Sequence, residues 1–129
     1  MALDIEKEIK INFIAIFIVS IIYGLWFLIS VESWVAVNNW PYLDPVAGRL
    51  LGSIFTALAI ISIKAFKEAE QWEKIENIVL FIVLFCLFAA IMSIYCHITF
   101  SLPPSNIVNI IIYVVFAILN IHIYLQKRK

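Results

Sequence analysis

The chain has 129 residues, 64% of them hydrophobic and 14% charged, and its nine basic and nine acidic side chains cancel to zero net charge. A soluble domain carries about 45–50% apolar and about 25% charged residues, so this composition, with a mean hydropathy of +1.04, argues against a soluble enzyme. The charge balance argues against a nucleic-acid binder or a disordered acidic arm, and the length fits a single domain, 1–129.

Crossing the hydrocarbon core takes about 20 helical residues, with every backbone group paired inside the segment. The opening, Met1 to Lys10, is mixed in charge, and the apolar run after it is too long for a signal-peptide core and lacks a small-residue cleavage site. It is read as a retained first helix over 11–31, which carries no charged residue. An outer loop over 32–45 follows, rich in Trp, Tyr and Pro. It is expected to lie on the bilayer surface, with room for one short helical turn.

Helix two is expected over 46–66. Its charge-free part, Leu50 to Ile63, spans only about 21 Å at 1.5 Å per residue. Arg49 and Lys64 must therefore snorkel outward, or Arg49 must have a partner. The connector from Lys67 to Glu76 offers the i,i+4 pairs Lys64 with Glu68 and Glu70 with Lys74, so it is expected to be helical and water-facing. Helix three is expected over 75–98, a break at Thr99 to Pro104, and helix four over 105–126 with Ser105 as N-cap. The predicted fold class is all-α: an up-down bundle of four transmembrane helices. Eight of the nine basic residues flank one side, Arg49 being the exception, so the positive-inside rule puts both termini and the middle connector in the cytoplasm. In a prokaryote the membrane would be the cell membrane.

Each helix carries a small or polar stripe, the clearest being Asn106, Asn109, Tyr113, Ala117, Asn120 and Tyr124 on helix four, at steps of three and four. Cys86, Ala90, Ser93 and His97 form one on helix three; Arg49, Gly52 or Ser53, Thr56 and Ala59 one on helix two; Ser20 and Gly24, with Tyr23, a weaker one on helix one. Such residues belong at helix–helix contacts, so packing is the first reading of these stripes.

Six residues fall near one depth at the outer end: Glu32, Asp44, Arg49, His97, Asn106 and Asn109. Arg49 calls for an anion, and Asp44 or Glu32 can supply it. One reading is a structural ion pair that pins the loop over the helices. The other is a polar mouth that holds a lipid headgroup or a small polar ligand. No nucleophile or metal set accompanies His97, and no cofactor or metal is expected. Cys96 and His97 are adjacent and diverge by about 100° on a helix. Cys86 and Cys96 lie about 15 Å apart on one helix, beyond the roughly 7 Å a disulfide tolerates, and no Cys-x-x-Cys exists. A proton-coupled exporter of this size would carry a membrane-embedded carboxylate in helix one, and none is present. Trp26, Trp34, Trp40 and Trp72 read as interface anchors.

The stretch Asp44-Pro45-Val46-Ala47-Gly48-Arg49-Leu50-Leu51-Gly52 enters the second of four helices with Asp-Pro, a small residue, Arg, and Gly three after the Arg. In this it resembles small four-helix membrane proteins of the DoxX-like kind, and it is similar to the ergosterol-biosynthesis scaffold family, which has an Arg and a Gly at that place. The resemblance implies a compact up-down bundle and an accessory or assembly role, with Arg49 and Gly52 positioning the outer loop. DoxX-like proteins are associated with redox partners, but no cofactor motif here matches that. The expected function is a non-enzymatic scaffold or accessory subunit, partnered by the bilayer and by another membrane protein or a second copy of the chain. The alternative is a binder or carrier of a lipid or small amphipathic molecule through the outer mouth. No nucleic acid partner is expected.

Overall fold

The computed structural model describes residues 4–129; the first three residues of the expected N-terminal flank fall outside them. The described residues form four α-helices and no strand: α1 (Ile5–Val37), α2 (Pro45–Lys67), α3 (Trp72–Phe100) and α4 (Ser105–Lys127). All four are long and apolar enough to cross a membrane. This is a multi-pass membrane protein with an all-α, up-down arrangement. α1 packs along α2 and α3 along α4, and the two hairpins meet through fewer contacts, mainly α1 with α4.

Two glycines let α1 and α2 lie close. A Cβ on Gly52 would stand 2.9 Å from the Leu28 nitrogen and 3.0 Å from the Gly24 oxygen; one on Gly24 would stand 2.8 Å from the Thr56 nitrogen. The obstacles are backbone, so only glycine permits this approach. Around it, Phe27, Val31, Trp34 and Phe55 form one apolar cluster toward the Trp-rich end. A larger cluster toward the termini includes Ile9, Phe13, Ile75, Val79, Ile82 and Ile123. One polar pair is buried there: Asn12 Nδ2 donates to Asn120 Oδ1 at 3.0 Å.

Both termini and the α2–α3 connector lie at one end. Lys10 binds Glu70 at 2.9 Å, His122 approaches Glu8 at 3.5 Å, and Arg128 approaches Glu76 at 3.8 Å.

The structure corrects four sequence expectations. First, α1 begins at Ile5, capped by Asp4, and runs to Val37, so Glu32 sits on a helix rather than in the loop. The axis breaks at Ser30 (φ −152°, ψ 67°), and the helical segment beyond it is held by burial of Trp34 against Phe27, with ring centroids 4.9 Å apart. Second, Trp34 is therefore a core residue and not an interface anchor. Third, the connector from Lys67 to Glu76 is not one helix: a turn over 68–71 separates Lys67, which ends α2, from the first residues of α3. The Glu68 amide closes α2 on the Lys64 carbonyl at 3.1 Å, and α3 starts afresh at Trp72. Glu70 is thereby freed to reach Lys10 instead of Lys74. Fourth, Ser105 is the first helical residue and Pro104 holds the cap position. The Ser105 hydroxyl donates to the Asn38 carbonyl at 3.3 Å, joining the start of α4 to the end of α1.

Candidate functional site

At the Trp-rich end the helices part around a cavity of about 350 Å³ whose walls are mostly apolar. Its floor is the α1–α2 contact, with Phe27, Leu51 and Phe55. Trp34, Trp40, Tyr42 and Leu43 come from the end of α1 and the loop behind it. The α3–α4 hairpin contributes Ser93, Asn106, Asn109 and Tyr113. The chain turns over the mouth because the Trp40 amide bonds to the Val35 carbonyl at 2.9 Å and Asn39 takes a positive φ of 50°. This curls the loop back so that the Trp40 ring rests 5.1 Å from that of Trp34.

Three of the six residues expected at the mouth line this cavity: Asp44, Asn106 and Asn109. Asp44 also starts α2, its Oδ1 accepting from the amides of Val46 (3.0 Å) and Ala47 (2.9 Å). Asn106 is 2% exposed and donates to the Ser93 carbonyl at 3.1 Å, which fastens α4 to α3. Asn109 Oδ1 accepts from the Tyr23 hydroxyl at 3.1 Å, which ties the two hairpins together across the cavity.

The other three lie outside its lining. Arg49 pairs with Glu32 at 2.9 Å, both side chains being 40–50% exposed (42% and 47%), and a second guanidinium nitrogen donates to the Pro45 carbonyl at 3.3 Å. Of the two acids expected to serve Arg49, Glu32 is therefore the partner and Asp44 is not. The reason is helical phase. Ala47, Gly48 and Leu51 face the cavity, and Arg49 stands about 100° around from Gly48. The extension of α1 past Ser30 carries Glu32 onto the same outer flank. His97 is partly buried in the last turns of α3, a full turn beyond Ser93, and its Nδ1 has no hydrogen-bond partner among the described residues. The six thus divide into a cavity trio, an ion pair on the flank and a separate histidine.

Sequence reasoning placed Tyr23 only on a packing stripe and gave Trp34, Trp40 and Tyr42 no part in the mouth. The available signal was the density of aromatic residues between positions 34 and 42. Below the main cavity, two smaller voids of about 30 Å³ continue past Tyr23 and Tyr113 along the α1–α4 seam, the deeper one reaching Cys86. Cys86 and Cys96 are free thiols. No group of three or more His, Cys, Asp or Glu side chains suited to a metal comes together among the described residues.

Comparison with family models, with curated protein sequences and with solved structures gives no match. The functional reading therefore rests on the site itself.

Proposed function

We propose that this protein is a non-enzymatic membrane protein that binds or carries a small amphipathic molecule in the cavity at its Trp-rich end. The observation that carries this reading is the cavity's size and chemistry. A space of about 350 Å³ falls within the range of ligand pockets, which are typically about 300–1,000 Å³, apolar-walled, with a few placed polar groups. Here those groups are Asp44, Asn106, Asn109 and Tyr23, and aromatic and aliphatic side chains form the rest. The excess of basic residues at the opposite end supports placing the termini in the cytoplasm and this mouth on the outer face.

Native mass spectrometry of protein extracted in mild detergent tests the reading. An amphiphile should be retained by the wild type and lost from Ala47→Trp, which places a large ring in the cavity from a wall position. Equal retention by a well-folded Ala47→Trp would overturn it.

A scaffold or accessory role is the second reading. It is supported by a shallow apolar groove on α3, lined by Phe81, Leu84, Phe85, Phe88, Ala89 and Met92, with Ala89 making room for a neighbouring helix. Lipid tails cover such a surface equally well, so it stands behind the cavity. Co-purification of a partner that is abolished by Ala89→Phe would favour it.

A further inference from the structure

We infer that the molecule bound at the Trp-rich end carries a cationic head of the alkylammonium type. This rests on the binding function proposed above and specifies the chemistry of the same cavity. Among the described residues lining the cavity, Asp44 is the one charged side chain. Both of its hydrogen bonds within the protein go to Oδ1, and Asp44 is exposed at the rim with Oδ2 unbonded among the described residues. Arg49 is the one Lys or Arg at this end of the bundle, and its guanidinium is committed to Glu32 and the Pro45 carbonyl on the flank. An anionic head would therefore meet a carboxylate and no Lys or Arg among the described residues that line the cavity.

The remaining walls fit a cation as well. Trp34, Trp40, Tyr42 and Tyr23 surround the cavity, and the faces of Trp and Tyr attract ammonium groups through the ring quadrupole, more strongly where water is excluded. Trp34 is only 7% exposed and packs at the back of the cavity. The Tyr23 hydroxyl is spent on Asn109, which turns that ring toward an apolar and quadrupolar role. A carboxylate at the rim with aromatic rings behind it recognises a bulky, weakly hydrated cation and gives little to a neutral sugar or an anion. Two sources share this chemistry: the choline or ethanolamine head of a lipid, and a free lipophilic amine.

The test uses the full chain in neutral maltoside micelles. Decylpyridinium quenches tryptophan fluorescence, and decyltrimethylammonium, decylphosphocholine and decyl sulfate compete with it. The expected result is saturable quenching that decyltrimethylammonium reverses at far lower concentration than decyl sulfate. Asp44→Asn should keep the helix cap, since Asn and Asp cap equally well, yet weaken decyltrimethylammonium about tenfold. If that variant melts early, Trp40→Leu replaces it, with the same loss expected for the cation. Competition by decylphosphocholine equal to that by decyltrimethylammonium would assign the head to a lipid, and its failure to compete would assign it to a free amine; both outcomes support the inference. Equal competition by decyl sulfate, or an unchanged cation affinity in folded Asp44→Asn, would overturn it and leave the cavity a binder of amphiphiles without charge preference. Absence of saturable quenching and of any competition would overturn both readings.

Discussion

Asn12 on α1 donates to Asn120 on α4 at 3.0 Å, and the Asn120 amide donates in turn to the Phe116 carbonyl at 2.8 Å, both side chains being buried, at 4% and 0% exposure. It is a polar clasp between the first and last helices, in a region where the hairpins otherwise touch sparsely. Interhelical hydrogen bonds in membranes contribute about 0.6–2 kcal/mol. Leaving one partner unmade adds a desolvation penalty. Asn120→Leu should therefore destabilise the fold by about 1–3 kcal/mol, while Asn12→Leu/Asn120→Leu together should be less harmful than the sum of the two single changes. Thermal unfolding in one detergent for all four proteins measures this.

The Gly24–Gly52 approach makes a sharper demand. A methyl group on Gly52 meets backbone of α1 at 2.9–3.0 Å, so α1 and α2 must separate. Gly52→Ala should destabilise by about 1–3 kcal/mol, the usual range for overpacking. It should also weaken amphiphile retention, because Phe27, Leu51 and Phe55 of the cavity floor ride on that contact. A melting temperature and retained-amphiphile signal equal to wild type would contradict both parts.

The Arg49–Glu32 pair should behave differently. Its partners are exposed to about the same degree, 42% and 47%, and exposed ion pairs contribute little because water and salt screen them. Arg49→Ala is expected to yield folded protein with a melting temperature close to wild type. Loss of expression would show that the pair is shielded by lipid headgroups and holds the end of α1 in place.

At the other end, the Lys10 ammonium beside Glu70 holds the Glu70 carboxyl below its ordinary range. A carboxyl whose folded value lies below its unfolded value stabilises the fold above the unfolded value, and that contribution disappears as pH falls through the folded one. Glu70→Gln should therefore differ slightly in melting temperature from wild type at neutral pH and converge with it in acid. A difference that persists unchanged in acid would assign it to something other than the ion pair.

Topology is open to a direct check. Single cysteines at Asn39 and at Gln71, each in a background with Cys86 and Cys96 replaced, should react with a membrane-impermeant maleimide from opposite faces. Gln71 should label only after the membrane is breached from the cytoplasmic side. Labelling of both from one face would refute the four-span arrangement.

Much of this architecture could be read from residue patterns. The stripe on helix four is borne out where it matters: Asn106, Ala117 and Asn120 are buried. The same is true of Gly52 and Ala59 on helix two, and of Ser20 and Gly24 on helix one. These positions were legible because lipid-facing and protein-facing residues differ in kind. The extension of α1 was not, because Glu32 and Ser33 after an apolar run look like a water-exposed loop. What keeps that segment helical is the burial of Trp34 on Phe27, a contact set by tertiary packing. Asn12 was overlooked because one Asn inside an uncharged run carries no local signal until its partner 108 positions away is known. The cavity itself depends on how far the hairpins stand apart, which no periodicity in the chain encodes.

The closest backbone approaches lie within the hairpins, α1 along α2 and α3 along α4, while the larger apolar cluster joins all four helices. During synthesis the amino-terminal pair can enter the bilayer and reach its close glycine-lined contact before the second pair has left the ribosome. The later pair then docks against it and completes the shared core, locking in place through the Asn12–Asn120 clasp and the Tyr23–Asn109 bond. Assembly in that order would make the seam between the pairs the last part of the molecule to close.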